Sequence, residues 1–260
     1  MNSEKSNKMP VFFIGHGSPM NAIESNPFTD SLKSVGNLIG EKPKAIMVVS
    51  AHWLTQGSFV STTEHPEIIY DFYGFPKELY EVKYTALGAP FAAKKTIDLA
   101  AEIREDSKWG LDHGAWTVLK HMFPKADIPV FQLSIDYHKP MQYHFELAQK
   151  LRKLRNEGVL VIGSGNIVHN LRLAFSTENN APYDWAIEFD EIVKDRINER
   201  DFNSLVNYER YGRAAQLSIP TVDHYIPLMY SLALVDDEDE IIFTYEEVLS
   251  SLSMRCLKIG

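Results

Sequence analysis

The sequence predicts a single α/β domain with a mainly parallel central sheet covered by helices. Two patterns predict this fold class. Four short runs rich in Val and Ile are apolar throughout rather than at alternate positions, which is typical of strands buried on both faces of a parallel sheet. Segments with apolar residues at helical spacing lie between these runs, as in α/β domains. No linker rich in Pro, Gly or Ser divides the 260 residues, so we expect one domain.

Each predicted strand ends at a polar or glycine-rich turn. The four buried strands are predicted at residues 10–14, 45–49, 128–133 and 159–162, and two later strands at 241–243 and 252–259. Helices are predicted at residues 89–103, 115–122, 141–156 and 185–200. The acidic run 236–240 is interpreted as a solvated loop. Residues 1–8 are polar and predict a disordered tail, so the domain is expected to span residues 9–260.

Composition excludes several function classes. The 26 Lys and Arg residues against 35 Asp and Glu residues give a net charge of −9, and no basic run is present, so no nucleic-acid partner is expected. No apolar stretch reaches the roughly 18 to 20 residues that span a bilayer, so no membrane partner is expected either. The lone cysteine, Cys256, excludes an internal disulfide and a thiolate zinc cluster. A cytoplasmic location is therefore predicted, and any metal must be held by nitrogen and oxygen.

Histidines follow three of the predicted strands. His16, His52 and His169 come shortly after the first, second and fourth runs, and ligands in open α/β sheets bind beyond the carboxyl ends of strands. His224 and His113 lie just before predicted helices. One such histidine alone is more often a surface or hydrogen-bonded residue. Convergence of several at one rim predicts a metal site, because imidazole suits Zn, Fe, Cu and Ni.

The remaining histidines and the aromatic run have ordinary interpretations. The aromatic run at residues 70–76 is compatible both with the wall of a flat pocket and with a packed surface loop. Cys256 is interpreted as a buried small apolar residue. The histidines expected to be structural are those in predicted loops or helices, His65, His121, His138 and His144.

Several long motifs resemble the 4,5-DOPA extradiol dioxygenase family, a branch of the class III, LigB-type ring-cleaving dioxygenases. The resemblance covers the chain from about Met9 to its end and keeps the order of the motifs. It rests on residues 13–20, 49–53, 70–76, 111–116, 163–170, 220–228 and 251–255. It implies a LigB-like α/β domain with a non-haem Fe(II) or Zn(II) site.

Carried over motif by motif, the resemblance implies roles for the five histidines. His16, His52 and His224 would be the metal ligands. His169 would be the catalytic acid and base beside the metal, or a fourth ligand in a resting zinc form. His113 would donate a hydrogen bond to bound substrate or oxygen. Many class III enzymes use two histidines and a glutamate, whereas the DOPA branch shares the histidine found here, and three neutral imidazoles also suit zinc.

The resemblance implies an enzyme that inserts O₂ into a catechol such as L-DOPA, with 4,5-cleavage to a muconate semialdehyde. The expected partners are the catechol and O₂, and the expected assembly is a monomer or a small homo-oligomer. Side chains expected to contact the substrate are Tyr70, Phe72 and Tyr225, and Arg172 and Lys139 are considered for a substrate carboxylate. Two alternatives stay open: a zinc-dependent hydrolase using the same ligands, and a non-enzymatic binding protein similar to the Memo family.

Overall fold

The computed structural model describes residues 8–174, 176 and 178–260. The predicted disordered tail lies outside the described residues except for Lys8. The Nζ atom of Lys8 lies 2.7 Å from an oxygen of Asp239 and 2.9 Å from one of Asp236, so the described chain begins with a residue held by ion pairs.

The described residues form strands and helices in alternation. The strands are β1 (Val11–Gly15), β2 (Ala45–Ser50), β3 (Leu54–Thr55), β4 (Ser58–Ser61), β5 (Ile103–Asp106), β6 (Val130–Gln132), β7 (Ile135–Asp136), β8 (Val159–Gly165), β9 (Ile241–Tyr245), β10 (Val248–Leu249), β11 (Leu252–Ser253) and β12 (Cys256–Ile259). The helices are α1 (Pro27–Asn37), α2 (Lys77–Tyr80), α3 (Pro90–Leu99), α4 (His113–Met122), α5 (Met141–Lys150), α6 (Asp184–Asn198), α7 (Phe202–Val206), α8 (Gly212–Ser218) and α9 (Ile226–Leu232).

The central sheet has six strands in the order β6-β2-β8-β1-β12-β9. The first four strands in this order are parallel to one another, which confirms the predicted α/β class with a mainly parallel sheet. β12 is antiparallel to β1, and β9 is antiparallel to β12. A parallel neighbour needs a long crossover connection, and the short segment 246–255 between β9 and β12 does not supply one.

Both faces of the sheet are apolar, because the strands are apolar at consecutive positions and successive strand residues point to opposite sides. On one face Phe13 and Met47 pack with apolar residues of α3, α5, α6 and α9. On the other face Phe12 and Val48 pack with apolar residues of α1 and α4. This double burial explains why the strand sequences are apolar at consecutive positions.

Three predicted elements differ from the structure. The helix predicted at 89–103 ends at Leu99, and Ile103 begins β5, which pairs with β4 in a second small sheet. The helix predicted at 141–156 ends at Lys150 and continues as a 3₁₀ turn up to Gly158, whose φ of +87° ends it. The strand predicted at 252–259 is divided into β11, which pairs with β10, and β12, which pairs with β1 and β9.

The acidic run 236–240 is not entirely solvated, which corrects the sequence interpretation. Asp239 is 4% exposed and accepts a hydrogen bond of 3.0 Å from the fully buried Arg155. The sequence interpretation was wrong for this residue because the partner lies more than eighty positions away and no local pattern marks it.

Within the described ranges, no helix has both the length and the apolar character needed to cross a bilayer.

Candidate metal centre

Neighbouring strands bring two of the predicted ligands together. β8 lies between β1 and β2, His16 directly follows β1, and His52 follows β2 by two residues. The Nε2 atoms of His16 and His52 are 3.1 Å apart. The shared carboxyl-terminal edge of the parallel strands therefore places both rings at one point, as the sequence predicts.

His224 reaches the same edge because its backbone packs directly against the end of β8. The amide N–H of Asn166 donates to the carbonyl of His224 at 2.9 Å. A Cβ atom at Gly165 would lie only 2.1 Å from that carbonyl oxygen, so this approach requires glycine. The ring of His224 lies 5.3 Å from that of His16 and 5.0 Å from that of His52, and the three histidines offer ligand atoms within 4.8 Å of one another.

Hydrogen bonds fix the proton of His16 on Nδ1. Nδ1 of His16 lies 3.0 Å from the hydroxyl oxygen of Ser164, and that hydroxyl donates its own hydrogen to the carbonyl of Gly114 at 2.6 Å. The serine oxygen must therefore accept from His16, so Nδ1 carries the proton and Nε2 keeps its lone pair.

Carboxylates favour the same tautomer in the other two rings. Nδ1 of His224 is hydrogen-bonded to Asp223, and Nδ1 of His52 lies 3.5 Å from the nearer oxygen of Asp71. A carboxylate only accepts, so Nδ1 of His224 donates and its Nε2 is free, and the negative charge of Asp71 favours a proton on Nδ1 of His52. Three rings in this tautomer fit a metal ion bound by three neutral imidazoles through Nε2, with outer partners at Nδ1.

Burial keeps these imidazoles neutral. Loss of hydration, with further contributions from neighbouring histidines, lowers the pKa of His16 and of His224 well below the usual value. Burial first, and then His113, lowers the pKa of His52 to about 3 against the opposing effect of Asp71. Neutral imidazole is the form that binds a metal, so the site is prepared for one at neutral pH.

His169 lies against the third predicted ligand. Its ring is stacked on that of His224, with centroids 3.4 Å apart and an interplanar angle of 6°. Burial lowers the pKa of His169 to about 4, opposed by the charge of Asp223. The structure thus brings His169 to the site, and the choice between acid–base residue and fourth ligand stays a prediction.

His113 completes the cluster from the start of α4. Its ring lies 3.8 Å from the ring of His52, and its Nδ1 lies 2.9 Å from an oxygen of Asp71. All five histidines singled out in the sequence line one cavity of about 430 Å³.

Two carboxylates at the site were missed by the sequence reasoning. Asp223 directly precedes His224, and Asp71 is the only charged residue in the aromatic run 70–76. Adjacency to a histidine and isolation among aromatic residues are the signals that could have marked them.

The aromatic run forms part of the cavity wall. Phe72, Tyr73 and Phe75 line the cavity together with Leu171 and Leu252, and Phe72 makes an edge contact with His113 at 5.6 Å between ring centroids. Of the two interpretations of this run, the pocket wall is the one that the geometry supports. Tyr73 stands at the mouth with 91% of its surface exposed.

Two predicted substrate contacts lie elsewhere, which corrects the expectation for them. Tyr70 points behind Phe72, where its hydroxyl donates to the carbonyl of Val82 at 2.7 Å. Tyr225 is 1% exposed and donates to the carbonyl of Leu205 at 3.2 Å. The Tyr70 hydroxyl is bonded to Val82 and Tyr225 belongs to the apolar core just before α9, and neither residue lines the cavity.

The other histidines and the cysteine are placed as the sequence predicts. His121 contacts the carbonyl of Asn21 at 2.7 Å, and His144 contacts the hydroxyl of Tyr230 at 3.2 Å. The lining of the cavity includes neither His65 nor His138. Cys256 is buried, and burial raises the pKa of its thiol to about 12.

The α/β domain thus carries, at its strand ends, a cavity lined by five histidines, three of which could hold a metal ion. The class of protein follows from a family model described as the catalytic LigB subunit of aromatic ring-opening dioxygenase, which matches residues 10–249.

Individual relatives narrow the assignment. A 4,5-DOPA dioxygenase extradiol of Escherichia coli (strain K12) is 44% identical over 262 residues, covering 98% of this chain and 96% of the relative. One from Beta vulgaris is 38% identical over 250 residues, covering 92% and 91%. The crystal structure of an uncharacterized E. coli K12 protein is similar with a TM-score of 0.84 and 40% identity, covering 97% of this chain and 100% of that one. The chain therefore belongs to the 4,5-DOPA extradiol dioxygenase family of LigB-type enzymes, and it is an extradiol dioxygenase.

Proposed function

We propose that this enzyme cleaves the ring of a catechol such as L-DOPA at the 4,5 position by inserting both atoms of O₂. The product is a muconate semialdehyde, and the metal is Fe(II) held by His16, His52 and His224. The observation that carries the proposal is the convergence of ligand nitrogens from these three histidines in a cavity with an aromatic wall.

Three neutral imidazoles on one face would leave open positions for substrate on the opposite face. A bound Fe(II) would supply acidity toward the catechol hydroxyls and electron exchange with O₂, whereas Zn(II) has no redox chemistry. Zn(II) is proposed as a resting metal, with His169 as a fourth ligand in that form.

The protein's own residues would orient the catechol and move its protons. Phe72 faces the cavity beside His113 and would stack on or against the substrate ring. Leu171 and Leu252 narrow the opposite side and would exclude water. His169, neutral and next to the ligand His224, would accept a proton from a substrate hydroxyl and return it during ring opening.

His113 has a related but distinct part in proton movement. The carboxylate of Asp71 lies 2.9 Å from Nδ1 of His113, and its negative charge would favour a proton there, which would leave the lone pair on Nε2 of the neutral ring. His113 would therefore first accept a proton, and only the protonated ring would donate the hydrogen bond to substrate or oxygen that the sequence resemblance implies.

Family membership favours ring cleavage over the two alternatives. A zinc-dependent hydrolase would use the same ligands with an activated water, and a Memo-like protein would need no catalytic histidines. No feature of the described site favours either. A cytoplasmic location, and a monomer or small homo-oligomer, stay predictions.

An oxygen-electrode assay tests the proposed function. Protein loaded anaerobically with Fe(II) is mixed with L-DOPA, protocatechuate or caffeate, and product mass is measured. We expect oxygen uptake, with a product equal to substrate plus both oxygen atoms, and no uptake with the Zn(II)-loaded protein. The variant His65→Ala changes a histidine that lies outside the cavity, and it serves as the control variant in this assay. Fe(II)-loaded protein that consumes no oxygen with any of the three catechols would overturn the proposal.

A further inference from the structure

One carboxylate at the site contacts two histidines with different predicted roles. The same oxygen of Asp71 lies 2.9 Å from Nδ1 of His113 and 3.5 Å from Nδ1 of the metal ligand His52. The other oxygen accepts the backbone N–H of His113 at 2.9 Å. Asp71 thus links a metal ligand to a ring that is not among the three proposed ligands.

The backbone holds this carboxylate in place. The segment before Asp71 is joined to the start of α4 by two hydrogen bonds of 2.8 Å, from Ile69 N–H to the carbonyl of Leu111 and from Leu111 N–H to the carbonyl of Glu67. The indole of Trp116 also donates to the carbonyl of Ile69 at 3.2 Å. The contact with the two rings is therefore built into the fold.

The charge of Asp71 has a specific effect on both rings. An ionised carboxylate can only accept a proton, so its position 2.9 Å and 3.5 Å from the two Nδ1 atoms favours the Nδ1–H form of each imidazole. In that form the Nε2 atom of His52 has a lone pair for a metal, and the Nε2 atom of His113 has a lone pair for a substrate proton.

We propose that Asp71 is a positioning residue that sets the tautomers of His52 and His113 together. The part of this inference that concerns turnover rests on the proposed function, and the part that concerns metal affinity does not. Asp71 thereby makes metal binding and proton acceptance depend on one carboxylate.

The proposal predicts an unusual order of variants. In Asp71→Asn the oxygen is expected to keep the bond to the backbone N–H of His113, so the amide NH₂ would face both Nδ1 atoms. A donor at that place favours the opposite tautomer, with the proton on Nε2. In Asp71→Ala neither tautomer is enforced. We therefore expect the isosteric Asn variant to be more damaging than the Ala variant, whereas a merely structural role would make it milder.

The measurements are Zn(II) affinity by competition with a chromophoric chelator, and kcat and KM of the Fe(II)-loaded enzyme. Loss of an outer partner costs about 10- to 100-fold. We expect Asp71→Ala at the lower end of this range, Asp71→Asn at or beyond the upper end, and Asp71→Glu to retain more of both properties than either. Asp106 is the matched control, because its oxygen accepts the N–H groups of Lys108 and Trp109 and contacts no histidine. In the same measurements, Asp106→Asn should have a milder effect than Asp106→Ala.

Each outcome decides a separate question. An Asp71→Asn variant that keeps higher metal affinity and turnover than Asp71→Ala overturns the proposal. A different result is that the wild-type protein consumes no oxygen while Asp71→Asn still lowers Zn(II) affinity more than Asp71→Ala. That result overturns the proposed function and leaves the positioning role intact. If the variants do not fold, ¹⁵N NMR of histidine-labelled, Zn(II)-loaded wild-type protein tests the tautomers directly. We expect a protonated Nδ1 in neutral His113, and a proton on Nε2 instead would overturn the proposal.

Discussion

The two ends of the central sheet bury polar groups in opposite ways. At the amino ends of β1 and β8, the fully buried Arg155 donates to the carbonyls of Met9 and Leu234 and to both oxygens of Asp239. At the carboxyl ends of the same strands, Nδ1 of His16 is hydrogen-bonded to Ser164, and its Nε2 atom lies 3.1 Å from Nε2 of His52. At the amino end the charged groups of Arg155 and Asp239 are hydrogen-bonded within the protein, whereas at the carboxyl end the Nε2 atoms would find their partner in a bound ligand.

This difference separates stability from function. A buried polar group that has all its partners supports the fold, whereas buried acceptors without partners are costly and mark a functional site. The amino end should therefore be sensitive in unfolding experiments and insensitive in activity assays. The carboxyl end should show the reverse.

The largest expected effect is at the carboxyl end. His169→Ala should retain the metal, because three ligands remain, and should lower kcat by about 10²- to 10⁴-fold through the loss of acid–base catalysis. Metal content and oxygen uptake of the same Fe(II)-loaded sample provide the measurement. Unchanged turnover would remove the role assigned to His169, and loss of the metal would instead identify it as a required ligand.

The corresponding change at the amino end is Arg155→Met. Among the described residues, removing the guanidinium leaves the buried Asp239 with Lys8 as its remaining ion-pair partner, and breaking a buried pair costs about 3–5 kcal/mol of unfolding free energy. Urea unfolding measures the loss. Zn(II) affinity of the folded variant should be unchanged, and a parallel fall in affinity would show that the two ends are coupled.

A smaller effect concerns a buried histidine outside the site. Burial lowers the pKa of His144 to about 4 from an unfolded value near 6.5, so between these pH values the unfolded chain binds more protons. This destabilising effect of His144 is absent at pH 7. The free energy of unfolding falls as the pH drops through this window, by up to about 3 kcal/mol once the pH is below it. Urea unfolding of His144→Asn and wild type from pH 7 to pH 4 should show a shallower decline in the variant. Equal slopes would contradict the prediction.

The smallest expected effect tests the corrected position of Tyr225. Tyr225→Phe removes one buried hydrogen bond, to Leu205, and should cost about 1 kcal/mol of stability while leaving KM unchanged. Phe72→Ala, which removes a cavity wall, should raise KM for the catechol. If Tyr225→Phe raised KM by a similar factor, the separation between the core and the cavity at this point would be wrong.

Much of the site was predictable because its main determinant is local. His16, His52 and His169 each follow an apolar strand, and parallel strands end at the same edge of the sheet, so their convergence needs no knowledge of side-chain contacts. His224 and His113 were singled out by their places just before predicted helices, and the motif resemblance implied their roles; the structure shows why they belong. The backbone of His224 packs on Gly165, and His113 begins α4 beside His52.

The sequence by itself determined the α/β class, the buried strands and the set of five histidines, because strand burial and strand ends leave short-range patterns. Only the tertiary structure decided which atoms of those histidines are free, that Asp71 contacts two of them, that Tyr225 belongs to the core, and that Asp239 pairs with Arg155. The physical reason is that a hydrogen-bond partner or a side-chain direction depends on residues far away in the chain. Local periodicity contains no information about which distant group will lie within 3 Å.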